Sequence, residues 1–330
     1  MGDNSQVNRR RKRGPLCKHG FLIVTLTFNP AIDRTITVDR LAFEDRAYIS
    51  SAKETAGGRG INASAVIHSF GGETLAVLPA GGSSGKKFQE YLDRCGFPFE
   101  IVPTRNKVRT NLVITDSHGL TVKLNEHGPR LSRTEVSKIE RATRERMEKA
   151  EWIMLCGSLP PGVPNDVYAR IIEFAESKKV KVLLDTDGEP LRAGLAAKPT
   201  VVSPNQDETE RLLNAALITR TNSLHAAEQL HKMGAESVLL SLGARGAVAF
   251  HQGKLYEINP PRVDAVCPIG AGDAMSAAFV WSMQKGDTFS EAARWGVAAG
   301  TASAKLPGMK FASLEETRVI YESVEVREVE

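Results

Sequence analysis

Cysteine is scarce in this sequence, which contains only four among 330 residues. Cys17, Cys95, Cys156 and Cys267 lie far apart and form no C-x-x-C pair, so the sequence indicates neither a zinc site nor a disulfide framework. The histidines from His68 onward show no metal-ligand spacing either. We therefore expect reduced thiols and no catalytic histidine.

Long apolar runs are also missing. Nowhere do about 18 apolar residues follow one another, as a membrane-spanning helix would require. The basic start of the chain lacks the apolar stretch that a secretory signal needs. We expect a soluble cytoplasmic enzyme with no membrane partner.

The excess of positive charge is confined to the start of the chain. The net charge is +4, but residues 1 to 20 hold six basic residues against one acid, which leaves 37 basic and 38 acidic residues in the remainder. A neutral body argues against a nucleic-acid partner. We expect residues 1 to 20 to form a disordered, solvated tail, with an interaction or targeting signal at Arg9 to Arg13 as the alternative.

Two nucleotide-binding motifs are absent. No G-x-G-x-x-G follows the first predicted strand, which disfavours an NAD-dependent enzyme. The segment Gly81 to Lys87 invites comparison with a P-loop, but residue 87 is Lys where that motif needs Ser or Thr. We interpret this segment as a turn between a strand and a helix.

The order of apolar segments predicts an α/β fold with a mainly parallel sheet. The first predicted strand, Phe21 to Thr27, is followed directly by another, Ile32 to Val38. Later strands alternate with helical stretches, which is typical of a parallel sheet with helices on both faces; they are predicted at Trp152 to Cys156, Val180 to Leu184, Thr200 to Ser203 and Ser237 to Leu242. Short strands between Phe99 and Leu124 indicate a β-flap.

One glycine-rich segment carries the strongest chemical signal. Gly270, Ala271 and Gly272 form a compact loop that opens directly into an apolar helix. Free amides and the positive end of the helix dipole make such a start an anion site. Asp273 beside it is either a favourable first-turn carboxylate or a proton acceptor.

This segment closely resembles the carboxy-terminal signature of the PfkB group of carbohydrate kinases. Other segments match that group in the same order: Thr27 to Asp33 (T-F-N-P-A-I-D), Ala56 to Asn62 (A-G-G-R-G-I-N), Gly157 to Gly162 (G-S-L-P-P-G), Pro204 to Glu208 (P-N-Q-D-E) and Ser241 to Gly246 (S-L-G-A-R-G). The resemblance extends from about Phe21 to Gly308. It implies an ATP-dependent sugar kinase with a ribokinase-like fold over residues 21 to 330, and a small β-sheet lid from about 33–56 and 99–125.

The resemblance also implies roles for single residues. Asp273 would be the catalytic base, and the amides of Gly270, Ala271 and Gly272 would stabilise the developing charge. The substrate-binding residues implied are Asp33, Gly57, Gly58, Arg59, Asn62, Arg109 and Asn111. The nucleotide-binding residues implied are Asn205, Ser241, Gly243, Gly246 and Gly272, with Glu208 organising Mg²⁺ through water. Asn205 and Glu208 are also explained as a helix cap and its first-turn acid. The small residues Ala298, Ala299, Gly300 and Thr301 would flank adenine or serve helix packing.

Two arginines bear on the choice of sugar. Arg59 replaces the lysine of the G-G-K-G pattern in fructose-1-phosphate and tagatose-6-phosphate kinases, and Arg109 with Asn111 resembles their R-x-N motif. Arginine suits phosphate because its planar fork donates two hydrogen bonds. The stretch Asn125 to Pro129 resembles N-E-P-G-P of 1-phosphofructokinases, with His127 departing from it.

The predicted reaction is therefore ATP-dependent phosphorylation of fructose 1-phosphate to fructose 1,6-bisphosphate. Tagatose 6-phosphate, fructose 6-phosphate, and an unphosphorylated sugar or nucleoside stay open as acceptors. A non-catalytic sugar-binding regulator is the alternative from another class. ATP and Mg²⁺ are the expected cofactors. The sequence leaves open a requirement for a monovalent cation and assembly into a homodimer.

Overall fold

The computed structural model describes residues 22–41 and 45–329. The predicted basic tail and Cys17 lie outside these residues. Cys95, Cys156 and Cys267 are free thiols, as expected. Within the same part of the chain, no helix is both long and apolar enough to cross a bilayer.

The described residues form a ten-stranded sheet and a separate four-stranded sheet. Strands are numbered along the chain. The large sheet contains β1 Leu22–Thr27, β4 Glu73–Gly81, β5 Phe99–Thr104, β8 Ala150–Cys156, β9 Lys181–Asp185, β10 Val201–Val202, β11 Ser237–Ser241, β12 Ala247–His251, β13 Lys254–Asn259 and β14 Glu325–Val329. The small sheet, called the lid, contains β2 Ala31–Val38, β3 Ile49–Gly57, β6 Arg109–Asp116 and β7 Thr121–Asn125.

Ten helices accompany the strands of the described chain. They are α1 Arg59–Ser69, α2 Gly85–Asp93, α3 Arg133–Met147, α4 Val167–Ser177, α5 Gly188–Ala196, α6 Gln206–Leu213, α7 Arg220–Lys232, α8 Ala271–Gln284, α9 Phe289–Ala304 and α10 Leu314–Tyr321. The glycine pair Gly81 and Gly82 ends β4 and begins a short 3₁₀ turn into α2, as the sequence predicted.

The large sheet is buried on both faces because alternate side chains of its strands point to opposite helix layers. Val24 and Leu26 of β1 pack with the layer of α3, α4, α5 and α7, whereas Ile23 packs with α1, α8 and α9. Strands β5, β4, β1, β8, β9, β10 and β11 are parallel neighbours in that order. The predicted mainly parallel sheet is confirmed.

Two features differ from the expectation. Residues 99–104 form β5, which pairs with β4 at the edge of the large sheet, so the second lid segment begins at Arg109 rather than near 99. Strands β12, β13 and β14 add an antiparallel edge that we did not predict. A tight turn at Gln252 and Gly253, both with positive φ, joins β12 to β13.

The lid is fixed to the body by a small apolar cluster. Ile32 of β2, Ala56 of β3 and Val108 before β6 pack with Phe88 and Leu92 of α2. All five side chains are buried. The lid is therefore packed against the body. The chain enters the lid from β1 at the start of β2 and leaves it into α1 at the end of β3.

A capping box begins α3, as the sequence predicted. The Ser132 hydroxyl accepts a hydrogen bond from the Glu135 amide, and the Glu135 carboxylate accepts one from the Ser132 amide. Removing an N-cap side chain typically costs about 1 kcal/mol. We expect Ser132→Ala to lower the free energy of unfolding by about that amount in chemical denaturation. Thr134→Ala, an exposed position two residues further on, is the control; an equal loss in both variants would contradict the assignment.

Candidate active site

The carboxyl ends of the parallel strands meet at one edge of the large sheet, which is where ligands bind in open α/β sheets. Asp185 is the last residue of β9 and Ser241 the last of β11. The first turns of α1 and α8 lie at the same edge, because Arg59 of α1 contacts Asp185 and Asn62 of α1 contacts Asp273 of α8. The predicted motifs are thus brought together around one space.

The glycine loop before α8 has the geometry of an anion site. Gly270 has a φ of 82°, a left-handed conformation that glycine adopts without strain, and it caps the helix. The Ala271 amide donates to the Pro268 carbonyl at 3.2 Å, so it is not the free donor that we expected. Within the described residues, the amides of Gly270 and Gly272 have no backbone acceptor. Open space lies beside Gly272, where a side chain would meet no atom within 4 Å.

Asp273 is held in place by an amide from another helix. The Asn62 side chain donates a hydrogen bond of 2.6 Å to Oδ2 of Asp273, which leaves Oδ1 to receive a proton. Burial and, after it, the negative charge of Asp185 raise the pKa of Asp273 to about 7, against the opposing effects of Arg59 and Asn62. A carboxylate with this pKa is suited to take a proton near neutral pH.

Asp33 and Asn111 form a second polar group, under the lid. The parallel register of β2 and β6 sets these two residues side by side, and the Asn111 amide donates to Oδ1 of Asp33 at 2.8 Å. Burial raises the pKa of Asp33 to about 6, although Asn111 and Arg109 both act to lower it. The Asn111 side-chain oxygen is buried without a partner in the described chain, as expected of a group awaiting a ligand.

Arg109 starts β6 beside this pair. Its Nη1 donates to the Glu126 carbonyl at 2.9 Å, and its Nε is buried with no acceptor among the described residues. Burial lowers the pKa of Arg109, because desolvation disfavours the cation, although the charges of Asp33 and Glu126 act to raise it. The arginine therefore offers an incompletely satisfied donor under the lid.

Two glycines explain the sharp connection between the lid and α1. A Cβ on Gly57 would lie 1.7 Å from Oδ2 of Asp33, so the carboxylate occupies the space that a side chain would need. Gly58, with a φ of 130°, turns the chain into α1 and lies against Thr27. Gly57 thus brings backbone close to Asp33, and Gly58 allows the turn that follows; their role in substrate binding stays a prediction.

The structure places Arg59 in a different position from the one we expected. Its Nη1 donates to Oδ1 of Asp185 at 2.6 Å, and its Nη2 donates to Oε1 of Glu208 at 2.8 Å. A third carboxylate, Asp187, lies 3.9 Å from Nη2. Arg59 therefore faces the end of β9 and the start of α6, with both terminal nitrogens engaged, instead of joining Arg109 at a substrate phosphate.

A cavity of about 790 Å³ adjoins the glycine loop, on the side of β11 and α9. Five predicted nucleotide-binding residues line it: Asn205, Ser241, Gly243, Gly246 and Gly272. The rest of the wall is largely apolar and includes Leu242, Val263 and Met275. Gly300 lines the cavity too, and a Cβ there would lie 2.9 Å from the Ala271 carbonyl, which supports the helix-packing explanation; a contact with adenine stays a prediction.

The predicted magnesium element is also a capping box. Asn205 Oδ1 accepts from the Glu208 amide, and Oε2 of Glu208 accepts from the Asn205 amide, both at 2.9 Å. Since Oε1 accepts from Arg59, both oxygens of Glu208 are occupied. No set of three or more His, Cys, Asp or Glu side chains in the described ranges is arranged to hold a metal ion. The arrangement fits Mg²⁺ that keeps its waters and is bound mainly by nucleotide phosphates.

Sequence reasoning missed two parts of the site. It gave no role to Asp185 and Asp187, although V-L-L-D-T-D ends a buried parallel strand where ligands are expected. It also gave no role to Asn29, whose amide donates to the His127 carbonyl at 3.0 Å and to the Ser158 hydroxyl at 3.3 Å. Asn29 thus ties two of the predicted motifs together.

Comparison with known proteins agrees with this geometry. The sequence matches the description "pfkB family carbohydrate kinase" over residues 26–316. The chain belongs to the pfkB family of carbohydrate kinases. The match and the phosphofructokinase relatives below establish an ATP-dependent sugar kinase; such kinases typically use Mg²⁺.

Solved structures of this family are similar over their whole length. Phosphofructokinase-2 from Escherichia coli, crystallised with substrates and products, is 30% identical with a TM-score of 0.84, covering 91% of this chain and 98% of that one. A "possible 1-phosphofructokinase" from Thermotoga maritima is 24% identical with a TM-score of 0.85, covering 94% and 100%. Arabidopsis thaliana ribokinase, with ribose and ATP, is 22% identical with a TM-score of 0.73, covering 92% and 99%. The predicted ribokinase-like fold is confirmed.

The close approach at Gly57 gives a test of Asp33. Gly57→Ala must displace the Asp33 carboxylate, since the added Cβ would overlap it. We expect the KM for the sugar acceptor to rise by roughly tenfold or more, as a charge-assisted hydrogen bond is lost. The KM for ATP should change little.

Gly85→Ala is the matched control, because its φ of −58° is helical and nothing lies within 4 Å of the added carbon. An unchanged acceptor KM in Gly57→Ala would show that Asp33 does not bind the acceptor.

Proposed function

We propose that this sugar kinase transfers the γ-phosphoryl group of ATP to a phosphorylated ketohexose, with fructose 1-phosphate giving fructose 1,6-bisphosphate as the first candidate. The observation that carries the proposal is Arg109, a half-buried residue whose Nε is buried and unsatisfied among the described residues, beside Asp33 and Asn111. A guanidinium with a buried, free donor favours a ligand that brings its own negative charge. A neutral sugar would leave that donor without a charged acceptor.

Fructose 6-phosphate is the second candidate, and a specific relative favours it. E. coli phosphofructokinase-2 in complex with fructose-6-phosphate is 29% identical to this chain, with a TM-score of 0.83. The segment Asn125 to Pro129, adjacent to Arg109 through Glu126, is the feature that favours fructose 1-phosphate instead. Both candidates place a phosphate near Arg109 and differ in which hydroxyl faces Asp273.

The acceptor would lie between the lid pair and the start of α8. Asp33 and Asn111 would hold sugar hydroxyls, and Asn62 would keep Asp273 aimed at the hydroxyl that reacts. As that oxygen attacks the γ-phosphorus, its proton passes to Oδ1 of Asp273, and the bond between phosphorus and the bridging oxygen of ADP breaks. The amides of Gly270 and Gly272, at the positive end of α8, would stabilise the charge on the transferred group.

ATP would occupy the cavity beside β11 and α9, which is large enough for a nucleotide. Bound Mg²⁺ would neutralise charge on the β- and γ-phosphate oxygens. Asn205 and Glu208 would orient the water around that ion. A homodimer, a monovalent-cation requirement and a cytoplasmic location stay predictions.

The role of Asp273 predicts a specific pH dependence. Its raised pKa of about 7 means that the carboxylate is increasingly protonated below that pH, and the protonated form cannot accept the hydroxyl proton. We expect kcat/KM to fall about tenfold per pH unit below pH 7 and to level off above it. Asp273→Asn should lower kcat by roughly 10²- to 10⁴-fold with the substrates still bound.

Asn62→Ala provides the comparison variant. The hydrogen bond from Asn62 lowers the pKa of Asp273, so its removal should move the midpoint of the profile to higher pH. Wild-type activity in Asp273→Asn would rule out the base assignment.

The proposed role of Arg109 predicts that its removal weakens binding of phosphorylated acceptors. Arg109→Ala should raise the KM for fructose 1-phosphate and fructose 6-phosphate by roughly 10- to 100-fold, since a hydrogen bond to a charged group contributes about 1.5–3 kcal/mol. ADP release should be measured with both sugar phosphates, tagatose 6-phosphate, ribose and adenosine.

The matched control for Arg109→Ala is Arg105→Ala, which removes an exposed arginine four residues earlier. Wild-type activity confined to unphosphorylated acceptors would overturn the proposed substrate class, and no activity with any acceptor would favour a sugar-binding regulator.

A further inference from the structure

Asn29 is a buried polar residue between β1 and β2, where the chain passes from the body into the lid. It is 3% exposed. Its side-chain Nδ2 donates to the His127 carbonyl at 3.0 Å and to the Ser158 hydroxyl at 3.3 Å. These partners lie 98 and 129 residues further along the chain, so the Asn29 amide makes a long-range connection between two loops.

The Ser158 end of this connection is held by the body. Gly157, the residue before Ser158, donates from its amide to the Asp185 carbonyl at 2.7 Å. The Gly157 carbonyl accepts from the hydroxyls of Tyr168 and Thr186, both at 3.0 Å, and both of these residues are fully buried. A backbone group with buried partners on both sides has little freedom to move. The position of Ser158 is therefore set by the large sheet and α4.

The His127 end belongs to a segment that holds Arg109. The Glu126 carbonyl accepts from Nη1 of Arg109 at 2.9 Å, and the Glu126 carboxylate accepts from the Thr110 amide at 3.0 Å. The Glu126 amide in turn donates to the Thr110 carbonyl at 3.4 Å. The carbonyls of Glu126 and His127 belong to successive peptide groups. The hydrogen bond from Asn29 therefore fixes the peptide next to the one that holds the guanidinium.

The Asn29 amide packs directly against Gly128. A Cβ on Gly128, whose φ is 97°, would lie 2.2 Å from Oδ1 of Asn29. This oxygen has no hydrogen-bond partner among the described residues, and an unpaired buried acceptor costs free energy. The reverse orientation of the amide would instead bring its oxygen against the carbonyl oxygen of His127. Asn29 thus acts as a donor that holds residues 126–128.

We infer that Asn29 is a positioning residue that sets the direction in which Arg109 presents its guanidinium to the acceptor. The path runs from Ser158 through Asn29 and residues 126–128 to Arg109. Without the Asn29 amide, Arg109 keeps its charge but turns with residues 126–128, and a charge-assisted hydrogen bond depends on direction. Asn29 thereby favours phosphorylated acceptors without contacting them. This selectivity rests on the proposed function, whereas the link from Asn29 to residues 126–128 does not.

Steady-state kinetics test this role. We expect Asn29→Ala to raise the KM for the sugar phosphate that the wild type uses by about fivefold or more, because part of the Arg109 contribution is lost. The kcat and the KM for ATP should stay within about twofold of wild type, since Asp273 and the nucleotide cavity are held by other contacts. Asn106→Ala is the matched control, because this exposed amide donates to the Arg130 carbonyl in the same loop, at 2.9 Å. An equal rise in both variants, or none in Asn29→Ala, would overturn the inference.

A second variant reaches the same contact from the other side, and it decides the question even if Asn29→Ala fails to fold. Gly128→Ala must displace the Asn29 amide, so the acceptor KM should rise as in Asn29→Ala. Gly119→Ala is its control: Gly119 has a similar φ of 86°, in the turn between β6 and β7, and an added Cβ would meet no atom within 4 Å. Equal effects of the two alanines would assign the change to backbone strain and contradict the inference.

A double-mutant cycle separates positioning from an independent role. If Asn29 acts through Arg109, then Asn29→Ala should raise the acceptor KM by less than about twofold when Arg109→Ala is already present, because residues that act through one another are not additive. A rise as large as in the wild-type background would show that Asn29 acts independently of Arg109.

Hydrogen–deuterium exchange of the full chain tests the link without any acceptor. The amides of Thr110 and Glu126 are hydrogen-bonded to each other's residues, and we expect both to exchange about threefold faster or more in Asn29→Ala than in wild type and Asn106→Ala. Unchanged exchange would overturn the inference. Wild-type inactivity on all sugar phosphates would instead overturn the proposed function, and exchange would still decide whether Asn29 fixes the segment that holds Arg109.

Discussion

The contact between Arg59 and the carboxylates of Asp185 and Glu208 is the constraint on which the site depends. The proposed reaction brings together two anionic substrates and a buried carboxylate base, at an edge of the sheet that already carries acidic side chains. Like charges at this density are tolerated only with fixed positive charge nearby. Arg59 supplies positive charge among the buried carboxylates, and the amino end of α8 supplies partial positive charge on the side where a phosphate would lie.

The fold delivers these charges through one short stretch of chain. Strand β3 of the lid ends at Gly57, α1 begins at Arg59, and Asn62 completes the first turn of the helix. Asp33 lies against Gly57, Arg59 forms ion pairs with Asp185 and Glu208, and Asn62 donates a hydrogen bond to Asp273. Residues 57–62 therefore contact Asp33 of the lid, the carboxylates of Asp185 and Glu208, and the proposed base Asp273. A displacement of this segment would disturb all three together, whereas the nucleotide cavity depends on other elements.

Much of the fold could be predicted because its signals are local. Apolar runs identify the parallel strands, and Ser132 with Glu135 identifies the start of α3 from four residues of sequence. The glycine-rich motifs identify the site because each needs a tight turn or a close backbone approach, as at Gly57 and Gly270. The boundary error at residue 99 has a similar cause: a short strand looks the same whether it pairs with the lid or with the edge of the large sheet.

The contacts that decide the role of Arg59 are not local. Its partners Asp185 and Glu208 lie 126 and 149 residues away, and only the packing of α1 against the strand ends brings them within reach. Motif position alone suggested a phosphate ligand, because a positive charge in a glycine loop suits either role. The prediction that the Ala271 amide is free was wrong for a related reason. Whether an amide at the start of a helix is free depends on the turn before it, and here that amide donates to the Pro268 carbonyl.

The two carboxylates Asp33 and Asp273 show why position, more than pKa, assigns the base. Burial raises both pKa values, to about 6 and about 7, so both groups can titrate near neutral pH. Asp33 has Asn111 and Arg109 beside it, which favour its charged form as a fixed acceptor of hydroxyl hydrogen bonds. Asp273 has the charge of Asp185 acting on it, which makes proton uptake easier, and it lies in the first turn of α8 beside the amides that would stabilise the phosphoryl group during transfer. In the proposed reaction the proton leaves the acceptor there as the new bond to phosphorus forms, so the same residue type would serve binding at one end of the site and chemistry at the other.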